Sequence, residues 1–449
     1  MQTRDWREAT DEPTPLGRLD LAADSSDATW SLFAAGDVKY RDREARDAPV
    51  AQPLSSRIRD ADLSMVNLEA PVAGAGEPLG KSGPTLNVDR DVPDVLRAAG
   101  FDVATLANNH LMDYGAEGLR ATTAACENVG LASCGAGESE SAAMAPARFE
   151  VDGTSVAVFS FCEREFGIAD GDEPGTAHLG SPGALERVAA SNADVTIVAA
   201  HGGVEYVPFP PLHRQTRLRE FVDAGADLVV GHHPHVPQGW EVYDDTPIFY
   251  SLGNFLFPMP ERPKTQWSLA IEVAFDGDEP VAVDLVPTET VDETVDEAGD
   301  RVDPGNRLAY LHHVASLTAD RDQLRAHWQE VAVAIFHQRY TRWLRTALAG
   351  DLVSQVRHPE QHFSPDTAWA SDDQESQMLA LLNLVRNRSH RSLMETALEV
   401  ETGKREDHRT ESVREHVREL VAETEDRPVY DRQSPARKTL SALIDRVTS

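Results

Sequence analysis

The stretch Gly231-His232-His233-Pro234-His235 directly follows the apolar run Leu228-Val229-Val230. A short apolar run of this kind predicts a buried strand, so the histidines stand where a strand ends. Neutral imidazole is the commonest protein ligand for a transition metal. Side chains two residues apart share a face of an extended chain, which places His233 and His235 on one side. The stretch alone predicts either a metal-binding arm or a solvated histidine loop.

Short apolar runs alternate with amphipathic segments from Trp30 to about Pro287. The runs predict strands at 32–35, 65–68, 103–107, 156–161, 195–200, 228–230, 248–251 and 269–275, with helices between them at 92–99, 116–128, 182–191 and 212–224. This alternation predicts an α/β domain over residues 30–287 with a mostly parallel central sheet. In such sheets functional residues gather where strands end.

The flanking segments have a different character. Residues 1–29 are polar and predict a loose leader, and residues 288–306 are acidic, repeat Thr-Val-Asp-Glu, and predict a linker or an exposed edge. From Arg307 onward apolar residues recur at helical spacing, which predicts a helical C-terminal region over 307–449. We expect its histidines to be satisfied or solvent-facing rather than ligands.

The composition restricts the class of protein. The 449 residues include 75 acidic and 42 basic residues, and the net charge of -33 is spread along the whole chain. This acid excess indicates adaptation to high salt and argues against nucleic acid as a partner, because phosphates would be repelled. Three cysteines without a CxxC spacing predict buried thiols. No run approaches about 18 apolar residues, so we expect a cytoplasmic protein without direct membrane insertion.

Five polar clusters follow predicted strands. They carry Asp37, then Glu69, then Asn109 and His110 ahead of Asp113, then His201 ahead of Glu205, and finally the histidine stretch. Each cluster alone is as typical of a turn as of a site. Together they form a mixed set of oxygen and nitrogen ligands that suits Mn, Fe or Zn better than Ca or Mg. Such a set can hold two metals about 4 Å apart.

The motifs in this order resemble the CapA-like, poly-γ-glutamate capsule synthesis family of the calcineurin-like metallophosphoesterase superfamily. The matching pieces are Gly36-Asp37-Val38, Asn67-Leu68-Glu69-Ala70-Pro71, Ala107-Asn108-Asn109-His110, Gly135-Ala136-Gly137, His201-Gly202-Gly203-Val204-Glu205-Tyr206, Gly225-Ala226-Asp227, Gly231-His232-His233-Pro234-His235-Val236 and Tyr250-Ser251-Leu252-Gly253-Asn254-Phe255. The resemblance implies a metallophosphoesterase-like β-sandwich flanked by helices. It does not extend to the C-terminal region.

The resemblance also implies a role for each site residue and one or two divalent metals as cofactor. Asp37 and His235 would bind the first metal, Glu69 would bridge, Asn109, His201 and His233 would bind the second metal, and His110 would donate a proton to the leaving oxygen. His232 is an additional imidazole, expected in the surroundings of the ligands or facing solvent.

Two departures from the superfamily pattern bear on the chemistry. The usual Asp-x-His is here Asp37-Val38-Lys39, so one ligand of the first metal is absent, and Glu69 stands where an aspartate is usual. The first hypothesis is a metal-dependent phosphoester hydrolase of capsule or poly-γ-glutamate biosynthesis with a phosphorylated or anionic polymer as substrate. The alternative is a non-hydrolytic metal-binding accessory protein of polymer assembly.

Three further expectations concern the kind of site, two arginines and the C-terminal helices. A structural metal site is less favoured, because such sites are usually closed and rich in cysteine. Arg164 and Arg262 are surface residues or contacts to substrate anions. The C-terminal helices are a candidate contact for a protein partner.

Overall fold

A computed structural model of the chain describes residues 17–22, 28–41, 49–298, 303–344 and 372–425. Its strands are β1 (Arg18–Asp20), β2 (Trp30–Val38), β3 (Leu63–Leu68), β4 (Val103–Thr105), β5 (Ala132–Cys134), β6 (Ala136–Gly137), β7 (Ala147–Val151), β8 (Thr154–Cys162), β9 (Gly175–Thr176), β10 (Val195–His201), β11 (Leu228–His232), β12 (Trp240–Tyr243), β13 (Thr246–Phe249), β14 (Asn254–Leu256), β15 (Trp267–Asp276), β16 (Glu279–Val291) and β17 (Thr294–Glu297). Its helices are α1 (Gln52–Asp60), α2 (Val92–Ala99), α3 (Gly115–Asn128), α4 (Glu140–Ala143), α5 (Pro182–Ala189), α6 (Leu212–Asp223), α7 (Pro304–Ala319), α8 (Arg321–Ile335), α9 (Asp372–Arg386), α10 (Arg388–Glu401) and α11 (Glu411–Ala422). A 3₁₀ turn covers Pro263–Thr265, and a π-helical turn, Phe336–Tyr340, continues α8.

The strands form two large sheets rather than the one central sheet predicted. The first sheet has the order β1-β16-β15-β2-β3-β4-β5, with β14 beside β2 and β17 beside β16, and the second has the order β12-β13-β11-β10-β8-β7. In the first sheet the strands from β2 to β5 are parallel and those from β2 to β1 are antiparallel. The second sheet is parallel from β13 to β8, and its two edge strands, β12 and β7, are antiparallel. A small ribbon pairs β6 with β9. The predicted strands are present with ends shifted by a few residues.

The two sheets pack face to face. On β2, Leu32 and Ala34 belong to the core between the sheets, whereas Phe33 and Ala35 face α1, α2 and α3 on the outside. This alternation follows from the two-residue period of a strand. The second sheet likewise shares one face with the inner core and packs the other against α5 and α6. The result is a β-sandwich flanked by helices, as expected from the resemblance.

The helical C-terminal region is confirmed, and its core is continuous with that of the sandwich. Tyr310 on α7, Trp328 on α8 and Leu393 on α10 belong to the same buried cluster as the inner faces of both sheets. Tyr310 also packs edge-on against Trp267 of β15, with ring centroids 6.2 Å apart. In the described part of the chain, no helix has both the length and the apolar character needed to cross a membrane. The helix expected at 436–447 lies outside the described residues.

The loose-leader prediction and the linker alternative for the acidic segment were wrong. The acidic segment expected to be a linker forms the end of β16 and then β17, which pairs back onto it. Its repeat alternates polar and β-branched residues, and Thr288 and Val295 are fully buried, so the pattern is that of a strand. The expected leader contains β1, which pairs with the same edge of β16 as β17 does, opposite β15. In the acidic segment, the high net charge made the alternating strand pattern hard to recognise from the sequence.

Candidate metal centre

Parallel strands from both sheets end at one place in the molecule. Asp37 lies at the end of β2, Glu69 directly follows β3, and His201 ends β10. His233 and His235 follow β11. Within each sheet the carboxyl ends of the parallel strands meet at one edge, and the face-to-face packing of the two sheets brings these two edges together, so the polar residues that follow the strands converge. The solvated-loop alternative for the histidine stretch is wrong, since both imidazoles are almost fully buried.

Glycines and unusual backbone angles permit this convergence. A Cβ at Gly36 would lie 1.9 Å from the carbonyl oxygen of Gly253, and one at Gly231 would lie 2.0 Å from that of Tyr250. Only glycine therefore allows β2 and β11 to come so close to the neighbouring backbone. His233 and His235 have φ angles of 97° and 60°. Such angles cost a non-glycine residue about 1–3 kcal/mol and concentrate at functional sites.

The side chains form two groups with one member in common. Asp37, Glu69 and His235 place ligand atoms within 4.8 Å of one another, and so do Glu69, His201 and His233. Glu69 Oε1 lies 3.6 Å from His201 Nε2 and 3.9 Å from His235 Nε2. The rings of His201 and His233 have centroids 4.9 Å apart. The carboxylate of Glu69 thus stands between the two groups.

The state of Glu69 fits a bound cation. Its side chain is fully buried, and neither carboxylate oxygen has a hydrogen-bond partner among the described residues. Burial and the nearby charge of Asp37 raise the pKa of Glu69 well above its ordinary value. A buried carboxylate without a partner is costly unless a cation compensates it. Divalent metal ions are the cations that carboxylate and imidazole groups jointly bind.

The imidazoles are in the form that binds metals. Burial lowers the pKa of His201 well below its ordinary value and that of His233 to about 4. Both rings are therefore neutral near pH 7, with a lone pair available to a cation. His235 Nδ1 lies 2.9 Å from Asn254 Oδ1, which orients the ring. The donor set of two carboxylates and three imidazoles fits a transition metal.

Asp37 is held by several donors. Asn67 Nδ2 donates to Asp37 Oδ1 at 2.8 Å, and the backbone nitrogen of His233 donates to Oδ2 at 3.1 Å. His232 Nδ1 lies 3.1 Å from Asp37 Oδ1. Burial pushes the pKa of Asp37 upward, but the hydrogen bond and charge of His232 and the charge of His235 outweigh it, so the pKa lies below its ordinary value. His232 is buried, which excludes the solvent-facing alternative for that residue.

Asn109 and His110 lie on the loop after β4, beside the second group. Asn109 Oδ1 is 3.0 Å from His201 Nε2. His110 Nδ1 lies 2.7 Å from Asp113 Oδ2 and 3.1 Å from Lys81 Nζ, and Lys81 forms an ion pair with Asp113. Burial lowers the pKa of His110. Lys81 was not found from the sequence, although the scarcity of lysine in an arginine-rich chain was a usable signal.

Lys39 occupies the position where the superfamily has a further histidine. Its ammonium lies 5.5 Å from the centre of the Phe257 ring, and its backbone nitrogen donates to the carbonyl oxygen of Leu256 at 3.0 Å. A lysine in this position does not extend the ligand set of the first group.

Residues 31–259 match the profile of the family described as "Bacterial capsule synthesis protein PGA_cap". The matched segment makes up about half of the chain and contains every candidate ligand. The chain belongs to this family. Membership in the PGA_cap family agrees with the resemblance found from the motifs, and it places the C-terminal helices outside the matched segment.

Curated relatives match a similar share of the chain. The capsule biosynthesis protein CapA of Bacillus anthracis is 37% identical over 180 residues, which cover 38% of this chain and 44% of that protein. A probable polyglutamine synthesis accessory protein of Mycobacterium tuberculosis is 31% identical over 208 residues, which cover 43% of this chain and 55% of that protein. The chain thus spans about half the length of these relatives.

Solved structures show weaker likeness. A hypothetical protein from Thermus thermophilus is 20% identical, with a TM-score of 0.41, over 58% of this chain and 100% of that one. A putative 5'-nucleotidase from Staphylococcus aureus is 15% identical, with a TM-score of 0.37, over 62% of this chain and 57% of that one.

A cavity of about 580 Å³ opens beside the second group of ligands. Its lining from the PGA_cap segment includes Lys81, Asn109, His110, Glu165, Glu205 and His233, and its lining from the C-terminal helices includes Arg339, Arg342, Asn383 and His390. The helical residues were not found from the sequence, because no motif or spacing connects them with the strand ends. The cavity therefore has one wall outside the matched segment.

Proposed function

We propose that this chain is a metal-dependent phosphoester hydrolase of bacterial capsule or poly-γ-glutamate biosynthesis. The observation that carries the proposal is the position of Glu69, a buried carboxylate that belongs to both groups of candidate ligands and has no hydrogen-bond partner among the described residues. A carboxylate between two sets of ligands is the arrangement that holds two metals close together. The mixed oxygen and nitrogen donors favour Mn, Fe or Zn.

Each candidate ligand has an assigned place in this proposal. Asp37 and His235 would hold the first ion, His201, His233 and Asn109 would hold the second, and Glu69 would serve both. Bound divalent ions would supply Lewis-acid activation of water and of the phosphoryl group. The protein contributes a fixed geometry, since the Asp37 carboxylate is already oriented by Asn67 and by the backbone of His233.

His110 is the proposed proton donor to the leaving oxygen. It lines the cavity next to Asn109, and the contact between its Nδ1 and Asp113 fixes the orientation of the ring. Burial lowers the pKa of His110, the hydrogen bond with Asp113 opposes this effect, and the ammonium of Lys81 adds to it. An imidazole fixed in this way at the side of the cavity is a candidate for proton transfer to the leaving oxygen.

The cations of the cavity support an anionic substrate. Lys81, Arg339 and Arg342 line it in a chain whose net charge is -33. Guanidinium groups bind phosphate and carboxylate oxygens in pairs, so the two arginines suit a phosphorylated or acidic polymer. In this proposal the C-terminal helices are part of the substrate site rather than an unrelated appendage.

The surface charge and the exposed apolar side chains bear on the cellular context and on partners. An acidic surface that is poor in lysine supports a high-salt cytoplasm, where screening reduces repulsion between carboxylates. A protein partner at the C-terminal helices is supported by the exposed apolar side chains of Met378, Leu382 and Val385 on α9.

One observation favours the alternative, a non-hydrolytic metal-binding accessory protein of polymer assembly. The first group lacks the histidine that usually follows its aspartate, because Lys39 stands there and packs over Phe257. A first site with fewer ligands would hold its ion less firmly. A single firmly bound ion could then serve binding without turnover.

Metal analysis combined with phosphomonoesterase and phosphodiesterase assays separates the two functions. We expect wild-type protein to contain one or two equivalents of Mn, Fe or Zn and to cleave at least one class of ester. His233→Ala should lose metal and activity together, whereas His337→Ala, which changes a half-exposed histidine of the π-helical turn, should keep both. Bound metal without cleavage of either class of ester would support the accessory function instead.

A further inference from the structure

A second cavity, of about 540 Å³, lies on the other side of the junction between α9 and α10. We call it the arginine cavity, because its lining includes Arg164, Arg214, Arg217, Arg321, Arg386, Arg388 and Arg391. These arginines come from four places: the loop after β8, α6, the start of α8, and the α9–α10 junction. The fold therefore gathers seven guanidinium groups from distant parts of an acidic chain.

The acidic residues of the arginine cavity do not neutralise it. Glu163 and Glu220 are the carboxylates in its lining. Glu163 accepts a hydrogen bond from Ser389 Oγ at 2.9 Å and lies 3.6 Å from His213, while Glu220 pairs with Arg217 at 3.0 Å. Both carboxylates are thus engaged, and seven positive groups face two negative ones.

Several of the arginines have no negative partner within the described part of the chain. Arg164 and Arg388 are exposed and make no hydrogen bond or ion pair with any other described residue. Arg391 donates to the carbonyl oxygen of Val385 at 3.2 Å, and Arg321 donates to the neutral side chains of Gln215 and Thr216. Arginines that only serve stability are usually paired with carboxylates, which are abundant in this chain.

A buried arginine gives a second, independent indication. Arg214 is 1% exposed, and its Nη2 donates to the carbonyl oxygen of Ala200 at 2.7 Å. Its Nε and Nη1 have no hydrogen-bond partner among the described residues, and neither does the buried Nδ1 of His213 next to it. Buried donors without acceptors are costly, and an anion in the cavity would supply acceptors.

We infer that the arginine cavity is a binding site for an anion that carries two or more acidic groups. The guanidinium fork pairs with carboxylate and phosphate oxygens alike, so the shared chemistry is a multivalent oxyanion. The arginines of the cavity come from four structural elements, and this spread favours a ligand with several charges over a single small ion. Its lining contains none of the candidate metal ligands, and the inference does not depend on whether the cavity beside the metal centre turns over a phosphoester.

We call the cavity beside the second group of ligands the metal-side cavity. It shares one wall with the arginine cavity. Asn383 and His390 line the first, whereas Arg386, Arg388 and Arg391 line the second. Between the two cavities, Asn387 donates a hydrogen bond to Glu165, and Ser389 donates one to Glu163. A ligand in the arginine cavity would therefore contact the same short stretch of helix that closes the metal-side cavity.

The test is calorimetric titration of the full-length chain at constant ionic strength. The probes are a glutamate oligomer, tripolyphosphate, and acetate as a singly charged control. We expect at least one multivalent probe to bind and acetate not to bind. Preference for the glutamate oligomer would identify an acidic polymer as the source of the ligand, and preference for tripolyphosphate a phosphorylated compound.

Paired variants locate the binding. The double change Arg388→Gln and Arg391→Gln should weaken binding by about tenfold for each arginine removed. The double change Arg405→Gln and Arg418→Gln removes the same charge from surface ion pairs on the C-terminal helices and should leave binding unchanged. Equal loss in both variants, or no loss in either, would overturn the assignment, as would failure of both multivalent probes to bind.

Two further variants separate this site from the metal centre and guard against misfolding. His233→Ala should lose metal but bind the multivalent probe as wild type does, and loss of probe binding in that variant would overturn the separation of the sites. If the Arg388 and Arg391 variant unfolds, Arg164→Gln on the opposite wall replaces it. Its exposed side chain makes no hydrogen bond or ion pair with a described residue whose loss would unfold the chain.

Discussion

Asn387 donates a hydrogen bond from Nδ2 to Glu165 Oε1 at 3.1 Å, joining the C-terminal helices to the loop after β8. Two positions further on, Ser389 Oγ donates to Glu163 Oε1 at 2.9 Å. All four side chains are buried. A buried carboxylate that loses its hydrogen-bond donors is costly, so the loop and the helices stabilise each other. The metal-side cavity is therefore assembled only when both are in place.

We expect Asn387→Ala to destabilise the whole chain. The change removes the Nδ2 donor to Glu165 and also the Oδ1 acceptor that caps α10 at the backbone nitrogen of His390, so the free energy of unfolding should fall by about 2–4 kcal/mol. Urea unfolding measures this, with Asn128→Ala at an exposed position of α3 as the control. Equal stability of the two variants would show that the helices attach without this bond.

We expect His110→Gln to separate turnover from metal binding. His110 contacts Asp113 and Lys81 and belongs to neither group of candidate ligands. Loss of the proton donor should lower kcat by about 100-fold, while the metal content stays at the wild-type value. Steady-state kinetics and metal analysis on the same preparation check both points. Loss of metal in this variant would assign the histidine to the ligand set.

Gly36→Ala tests the close approach of β2 and the loop that carries Gly253. The added Cβ would lie 1.9 Å from the Gly253 carbonyl oxygen, so the backbone that carries Asp37 must shift. We expect the free energy of unfolding to fall by about 3 kcal/mol and the metal content to fall with it. Gly80→Ala is the matched control, because nothing lies within 4 Å of its Cβ position. Similar stability in both variants would contradict the close approach.

The strand-end residues could be located from the sequence because their signal is local. An apolar run that ends shortly before Asp37, or shortly before His233 and His235, predicts both the strand and the position of the side chain at its end. Parallel pairing within one sheet then brings Asp37 close to Glu69, and His201 close to His233, without any further information. The convergence of Glu69 with His201 and His233 also requires the two sheets to pack face to face, which the resemblance implied and the strand pattern alone did not.

The wall of the metal-side cavity that the C-terminal helices form could not be predicted, because it depends on contacts between residues far apart in the sequence. Arg339 and Arg342 lie on and next to the π-helical turn, and only the packing of α8 against the sandwich brings them to the cavity. The error over β17 has a different origin. There the net charge of the segment outweighed the alternation of Val291 and Val295 with polar residues.

The net charge predicts a stability that rises with salt. At -33 the chain repels itself at low ionic strength, and screening over about 10 Å at 0.1 M salt weakens that repulsion. We expect the midpoint of thermal unfolding to rise steadily from about 0.1 to about 2 M KCl. Sucrose at matched osmolality is the control for general exclusion effects. A midpoint that falls as KCl is added would contradict adaptation to high salt.

Three histidines form a hydrogen-bonded chain where α7, α8 and α11 meet. His327 Nδ1 lies 2.8 Å from the Gln323 carbonyl oxygen, His327 Nε2 lies 3.0 Å from His416 Nδ1, and His416 Nε2 lies 2.8 Å from His313 Nε2. Burial lowers the pKa of both His327 and His416 to about 4. In the unfolded chain a histidine has a pKa of about 6.5. Protonation therefore favours the unfolded chain.

The contribution of these histidines to stability is complete above a pH of about 6.5 and is lost as the pH falls from about 6.5 towards 4. For His327 alone the loss between about pH 7 and pH 5 should be about 2 kcal/mol. We expect His327→Gln, which cannot take up a proton, to lose correspondingly less stability over this range in urea unfolding. His337→Gln, at a half-exposed position, should follow the wild-type curve. The same loss in all three proteins would mean that His327 takes up a proton in the folded chain as readily as in the unfolded one.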